Sequence, residues 1–285
     1  MYDVTIIGAG PAGISASLYA KRANLNVLVL YYGESNLEQA VKIDNYYGFK
    51  EGVGGEELFN SGIEQAKNLG VQVENLEVLG IEGQENSFII NTEKENFETK
   101  TIIIATGNRK LKPNILGIKE FEGKGVSYCA ICDAFFYRNK KVAVIGNGKF
   151  AVKEATELSH VAGNVTILTN GLEKPECKFD VKTNKIKAII GDERVSKIEF
   201  EDGSSIEIDG IFVALGEAGA GDFARILGII QKGENIQVNE EMETNVPGIY
   251  ACGNITGGLL QVCKAVYEGA KAGLTAVNYV RASKE

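Results

Sequence analysis

The sequence predicts an α/β protein made of two related domains with mainly parallel sheets. Two observations predict it. A unit of aliphatic strand, glycine-rich turn, helix and second strand occurs at residue 2 and again at residue 141, and each copy is answered downstream by a buried strand ending at glycine. The length of 285 residues, 44% of them hydrophobic, fits about two domains of roughly 150 residues each.

In the first unit, Tyr2 to Ile7 is nearly continuous in apolar character and runs into Gly8-Ala9-Gly10-Pro11-Ala12-Gly13. Helical periodicity follows over Ile14 to Arg22, then the aliphatic run Val27 to Leu30. The first glycine permits the tight turn, the second admits a pyrophosphate to the backbone, and the third lets the helix pack closely on the strand. The N–H groups of the helix start then meet the phosphates. This arrangement marks a Rossmann-like dinucleotide site, with an ordinary tight βα turn as the plainer alternative. The second strand ends Tyr31-Tyr32-Gly33-Glu34, so a carboxylate for a ribose arrives only at Glu34, slightly late for that role.

The second unit runs Lys141 to Ile145, Gly146-Asn147-Gly148-Lys149-Phe150-Ala151, a helix to about Val161, and a strand from Val165 to Leu168. The downstream echoes are Thr101 to Gly107 and Gly210 to Gly216. Alternating segments at Val71 to Ile81, Ser87 to Asn91, Val195 to Phe200 and Ser205 to Ile208 predict antiparallel meanders within each domain. From Thr244 the chain gives a turn at Asn245 to Gly248, a strand at Ile249 to Cys252, Gly253-Asn254, and a helix from about Gln261 to Arg281. This ending returns to complete the first domain, which is therefore discontinuous.

The formal charge of −8 argues against nucleic acid and anionic lipid as partners. No apolar stretch approaches the roughly 20 residues needed to span a bilayer, and the sequence opens on a strand without a basic leader. A cytoplasmic protein is expected. A reducing cytosol leaves catalytic or metal roles for paired cysteines, and only Cys129 and Cys132 are paired in sequence. Cys177, Cys252 and Cys263 read as small buried hydrophobes.

G-A-G-P-A-G at Gly8 to Gly13, A-T-G at Ala105 to Gly107, C-A-I-C-D at Cys129 to Asp133 before Phe135-Phe136-Tyr137-Arg138, and G-I-Y-A-C-G-N at Gly248 to Asn254 stand in a specific order. From end to end the chain resembles the low-molecular-weight thioredoxin reductases. The resemblance implies a homodimer of chains with two Rossmann-like, three-layer ββα domains, acting on thioredoxin. Residues 1–113 and 235–285 would hold FAD, and residues 114–234 would form an NAD(P)H-binding-like domain carrying a redox disulfide. By motif, Gly8, Gly10, Ala12 and Gly13 would meet the pyrophosphate. Asn45 would line the flavin pocket, and Ala105, Thr106 and Gly107 would close over the cofactor. Gly253 and Asn254 stand where the family places Gly-Asp beside the ribityl chain, with Asn lacking the charge. Gln261 and Val262 match the backbone that reaches the pyrimidine end of the flavin.

The cysteine pair carries chemistry of its own. Two intervening residues let both sulfurs close a small ring at a helix start, whose N–H groups favour the attacking thiolate. The resemblance assigns Cys132 to the flavin side. Asp133 is placed to protonate the departing thiolate, or alternatively to cap a helix. Half a zinc site is the other reading of the pair, but zinc takes four ligands, and the chain has one His and no second cysteine pair. No metal is expected, and His160 reads as a surface or packing residue.

The second glycine unit departs from the family. After its strand the chain reads Leu168-Thr169-Asn170-Gly171-Leu172-Glu173-Lys174-Pro175-Glu176, with no arginine for a 2'-phosphate and no carboxylate at the strand end for a ribose. Phe150 stands where a pyrophosphate needs space. The chain here resembles the ferredoxin-dependent flavin thioredoxin reductases, as does Gly257-Gly258-Leu259-Leu260-Gln261. Ferredoxin near −400 mV and thioredoxin near −270 mV leave about 6 kcal/mol for two electrons. A divergent NADPH site and a flavin dithiol oxidase using oxygen are the alternatives.

Overall fold

The computed structural model describes the chain except residues 34, 36, 39, 108–113, 129, 216–219, 234 and 284–285, and except the side chains of 131, 132 and 220. The chain divides into two compact units, Met1–Arg109 with Gly219–Glu285, and Lys110–Ala218.

The first unit opens with β1 (Tyr2–Ile7), α1 (Pro11–Arg22), β2 (Val27–Tyr31), α2 (Gly55–Asn68), β3 (Gln72–Asn75), β4 (Val78–Gly83), β5 (Phe88–Thr92) and β6 (Asn96–Ile104). The second contains β7 (Val126–Ser127), α3 (Ala130–Asp133), a 3-10 turn (Ala134–Tyr137), β8 (Lys141–Ile145), α4 (Lys149–Ser159), β9 (Asn164–Leu168), β10 (Asp180–Lys182), β11 (Ile186–Gly191), β12 (Val195–Phe200), β13 (Ser205–Glu207) and β14 (Gly210–Val213). The chain then re-enters the first unit through α5 (Ala220–Leu227), β15 (Gln231–Lys232), β16 (Asn235–Ile236), β17 (Ile249–Ala251), a 3-10 turn (Asn254–Thr256) and α6 (Val262–Ala282).

Among the described residues the main sheet of the first unit runs β3-β2-β1-β6-β5-β4, with β17 also paired to β6. Its central strands are parallel: β1 registers Ile7 against Ile104 of β6, which in turn aligns with Ala251 of β17. Residues 4–7, 101–104 and 249–251 are buried and mostly aliphatic, as parallel strands covered on both faces must be. The second unit repeats the plan in the order β10-β9-β8-β14-β7, all parallel, beside an antiparallel sheet β11-β12-β13. The α/β class with two Rossmann-like sheets is as the sequence predicts.

One detail differs. Val71 to Ile81 is not one meander strand: Gln72–Asn75 extends the parallel sheet beside β2, and only Val78–Gly83 is antiparallel, to β5. The crossover that permits this is α2, which buries Phe59, Ile63 and Ala66 over the sheet. Helix α5 packs on β4 and β16 and so lies with the first unit.

Helix α6 lies on α1 through small residues. A Cβ at Gly269 would sit 2.0 Å from the Ala12 carbonyl oxygen, and one at Gly273 2.5 Å from that of Ala16. This close approach carries the C-terminal segment onto the turn that starts α1. None of the described helices is long and apolar enough to cross a membrane.

Candidate functional site

The first glycine turn is shaped by the end of β6. Gly8 has φ +114°, and a Cβ there would lie 2.3 Å from the Ala105 carbonyl oxygen; a Cβ at Gly13 would lie 1.9 Å from that of Gly8. Nothing lies within 4 Å of a Cβ at Gly10, so the rim of the turn is open just where α1 begins. Gly10 is the N-cap of α1, its side-chain-free position leaves the helix start uncapped, and Pro11 follows. Ala12 is buried and Gly253, at φ +86°, packs against it: a Cβ on Gly253 would fall 2.9 Å from that of Ala12. Ala105 is buried, and the Thr106 hydroxyl oxygen is buried with no hydrogen-bond partner among the described residues. Thus Gly8, Gly10, Ala12, Gly13, Ala105, Thr106, Gly107 and Gly253 come from three parts of the sequence to one rim of the sheet, at the carboxyl ends of β1, β6 and β17.

Asn45 and Gln261, 216 positions apart, are joined directly: Asn45 Nδ2 donates to Gln261 Oε1 at 2.8 Å. Gln261 is the N-cap of α6 and Val262 its first residue, so the N-terminal N–H groups of a 21-residue helix open at this point. Asn254 begins the 3-10 turn and is half-buried.

Beneath that turn lies a clamp that sequence reasoning missed. Lys264 Nζ donates to the carbonyls of Gly253 at 2.8 Å and Gly257 at 2.6 Å, bonds the Thr256 hydroxyl at 2.8 Å, and pairs with Glu268 Oε2 at 2.9 Å. The same Glu268 oxygen accepts from the Gly253 N–H and from the Thr256 hydroxyl, each at 2.9 Å. The i,i+4 Lys–Glu spacing was legible, but it resembles a solvated helix face until the fold buries it. Above it, Cys252 is fully buried, and burial, then the charge of Glu268, push its thiol well above the usual range, against a smaller opposite pull from Lys264. Cys252 fits the buried small-hydrophobe reading, and Cys177 is half-buried. Cys263 does not fit that reading: it is exposed, because the second residue of α6 faces away from α1.

In the second unit Cys129 lies outside the described residues, as does the side chain of Cys132, whose backbone is in α3. Asp133 ends that helix half-buried and accepts a 2.7 Å hydrogen bond from Ser127 Oγ. It makes no side-chain cap, which corrects the capping alternative: its carboxylate turns back to β7 instead. Glu154 of α4, 4% exposed, accepts from the Ala130 N–H at 2.7 Å. Both Ser127 and Glu154 went unnoticed in the sequence, since nothing local marks them. Phe135 and Phe136 are exposed at 71% and 64%, with the Arg138 guanidinium 5.7 Å from the Phe135 ring centre. Tyr137 turns the other way and buries its ring against Gly210 and Phe212, anchoring the segment.

The pyridine nucleotide-disulphide oxidoreductase family matches residues 2–269. A thioredoxin reductase of Listeria innocua is 33% identical over 306 residues, spanning 100% of this chain and 96% of its own. The chain belongs to the thioredoxin reductases. Two solved thioredoxin reductases show the fold in detail. The atypical thioredoxin reductase TRi from Desulfovibrio vulgaris Hildenborough matches with a TM-score of 0.95 at 39% identity, covering 99% of each chain. A ferredoxin-flavin thioredoxin reductase from Clostridium acetobutylicum matches with a TM-score of 0.75 at 35% identity, covering 100% of this chain and 99% of its own.

Thioredoxin reductases of this family are FAD-binding flavoproteins, and FAD is the cofactor. The first unit suits it. The open rim over Gly10, the close approach at Gly8 and Gly13, and the unpartnered buried hydroxyl of Thr106 are features a bound dinucleotide would use. Glu34 lies outside the described residues.

The second turn is built alike yet differs where a ligand would lie. A Cβ at Gly146 would be 2.1 Å from the Ala214 carbonyl oxygen, the counterpart of Gly8 over Ala105. Ala151, however, occupies the third glycine position with its methyl buried, and Phe150 beside it is 2% exposed. At the end of β9 the Thr169 hydroxyl donates to the Leu172 carbonyl at 2.7 Å, and Asn170 Oδ1 accepts from the Ile186 N–H at 2.7 Å. The next charged residues, Glu173, Lys174 and Glu176, are exposed.

Proposed function

We propose that this thioredoxin reductase passes electrons from FAD through a Cys129–Cys132 disulfide to thioredoxin, and that reduced ferredoxin is the donor. FAD, when bound, supplies a carrier that accepts electrons singly and yields them as a pair. In this reading the first unit is the FAD domain, and Gly8, Gly10, Ala12 and Gly13 present backbone to the pyrophosphate. Ala105, Thr106 and Gly107 close the rim, with the Thr106 hydroxyl donating to the cofactor. Gly253 and Asn254 face the ribityl hydroxyls, and the Lys264–Glu268 clamp fixes their turn. The Asn45–Gln261 pair and the start of α6 at Val262 hold the pyrimidine end, where helix N–H groups favour negative charge.

The second unit carries the disulfide. Cys132 takes the electron pair as the S–S bond breaks, Asp133 delivers a proton to the thiolate released, and Ser127 orients that carboxylate. Cys129 then attacks the partner's disulfide. The exposed rings of Phe135 and Phe136 support a protein partner, since they place apolar surface beside the motif. Exposed Tyr267 and Leu274, seven residues apart on α6, support a homodimer.

The observation that carries the donor reading is the end of β9. The Thr169 hydroxyl and the Asn170 side-chain carbonyl are spent on the backbone, and acidic residues flank Lys174, so a 2'-phosphate would meet no guanidinium there. The likeness to the Clostridium protein supports the same reading. The family's pyridine-nucleotide chemistry favours the alternative, NADPH at a divergent site.

Anaerobic titration separates them. Reduced ferredoxin is expected to bleach the flavin and thioredoxin to restore it, with NADPH leaving it oxidised; rapid bleaching by NADPH would overturn the donor assignment. Peroxide formation in air with a small dithiol would instead favour an oxidase.

A further inference from the structure

The carboxylate of Glu154 stands at the start of the cysteine motif. It is 4% exposed and accepts a 2.7 Å hydrogen bond from the Ala130 N–H, the amide that directly follows Cys129 in the chain. Helix α3 has only four residues before the chain tightens into a 3-10 turn, so its dipole is small and its few N–H groups matter individually. These are the donors that would stabilise a thiolate, and one of them is committed to the buried Glu154 side chain. A second carboxylate, Asp133, closes the other end of the same four residues. Among the elements packed on α4, α3 contributes Asp133 and β8 contributes Lys141, while β9 has no charged residue; α4 itself adds Lys149, Lys153 and Glu157.

Resting on the reading of Cys129 and Cys132 as the redox disulfide, we propose that Glu154 is a positioning residue that ties the motif to α4. By its charge it also penalises the thiolate, making the dithiol a stronger reductant. Reduction breaks one S–S bond and takes up two electrons. It also takes up two protons when both sulfurs end as thiols, and one when a thiolate remains. A neighbouring anion raises the free energy of the second product only. Its effect is therefore absent where the sulfurs are protonated and grows as pH rises past the ordinary thiol range near 8.5. A dithiol whose thiolate is disfavoured gives up its electrons more readily, the reverse of the oxidising dithiols that owe their potential to a stabilised thiolate.

The test equilibrates holoenzyme with mixtures of reduced and oxidised dithiothreitol, and reads the dithiol fraction at Cys129 and Cys132 by quenched alkylation and mass. Glu154→Gln keeps an acceptor oxygen and removes the charge. At pH 9 it is expected to shift the equilibrium five- to tenfold toward the dithiol, tenfold being about 30 mV for this couple, and at pH 6 less than twofold. Glu154→Ala, which loses both charge and acceptor, is expected to show the same growth with pH and serves should E154Q not accumulate with FAD bound. If Glu154 is only a hydrogen-bond acceptor, E154Q matches the parent at both pH values and E154A shifts equally at both; either result overturns the proposal. Failure of the disulfide reading is separate: the parent enzyme would then take up two electrons per chain in reductive titration instead of four.

Discussion

Replacing Lys264 by methionine removes the centre of the clamp under the Gly253–Gly257 turn. The side chains of Lys264 and Glu268 are 15% and 12% exposed, so the change strands a nearly buried carboxylate and takes its donor from the Gly257 carbonyl, while the Gly253 carbonyl keeps the Thr256 hydroxyl and N–H. Breaking a fully buried pair on one side costs about 3–5 kcal/mol. Glu268 keeps the Gly253 N–H and the Thr256 hydroxyl here, which lowers the expected loss to about 2–3 kcal/mol. In a unit of 150–250 residues that corresponds to a fall of about 5–10 °C in the unfolding midpoint. Thermal release of flavin fluorescence from the holoenzyme reads this unit selectively. The double variant Lys264→Met/Glu268→Gln is expected to recover at least half the loss, because the stranded charge is gone. A single Lys264→Met variant melting within about 1 °C of the parent would refute the reasoning, since it would mean the ion pair only offsets its own desolvation.

Gly13→Ala puts a methyl 1.9 Å from the Gly8 carbonyl oxygen and must push α1 off its turn. The purified protein is expected to retain less than about a tenth of its flavin, a loss in the exceptional class of single substitutions, and full flavin content on absorbance would contradict the cradle described for that turn. Cys252 ionises only far above the usual thiol range when folded, whereas its unfolded thiol titrates near 8.5; stability therefore holds below about pH 8.5 and falls above it, by up to about 1.4 kcal/mol per pH unit. Urea midpoints of the parent at pH 8 and pH 10 should differ by more than those of Cys252→Ala, and in the folded parent a thiol reagent should modify Cys263 but not Cys252.

The repeated strand, turn and helix units were legible because each is local: Tyr2 to Ile7 and Lys141 to Ile145 are aliphatic runs that end at glycines only one backbone geometry explains. Helix α2 was not, since only Gly55, Phe59, Ile63 and Ala66 are buried among polar neighbours, a stripe too thin to stand out. The packing of α5 on β4 was hidden for a related reason, since that partner lies far upstream. Motif residues such as Gly8 and Gly253 announced themselves by type. Glu154, Ser127 and Lys264 did not, because a charged or hydroxylated side chain acquires its meaning from burial and from backbone atoms supplied by distant segments. Asp133 lies between these cases, conspicuous in sequence while its partner was not.

The small-residue seam between α1 and α6 has a consequence for the order of biosynthesis. The ribosome completes Lys110–Ala218 while the first unit still lacks β17, the strand that aligns with β6, and the helix whose Gly269 and Gly273 seat against Ala12 and Ala16. The middle unit can thus fold on the emerging chain, and the outer unit must hold an incomplete sheet open until the last segment is released. The seam admits only glycine at its two contact points, so the closing helix docks in one register or not at all. Translation that stops short of α6 yields a chain with its cysteine motif made and its first unit left unsealed.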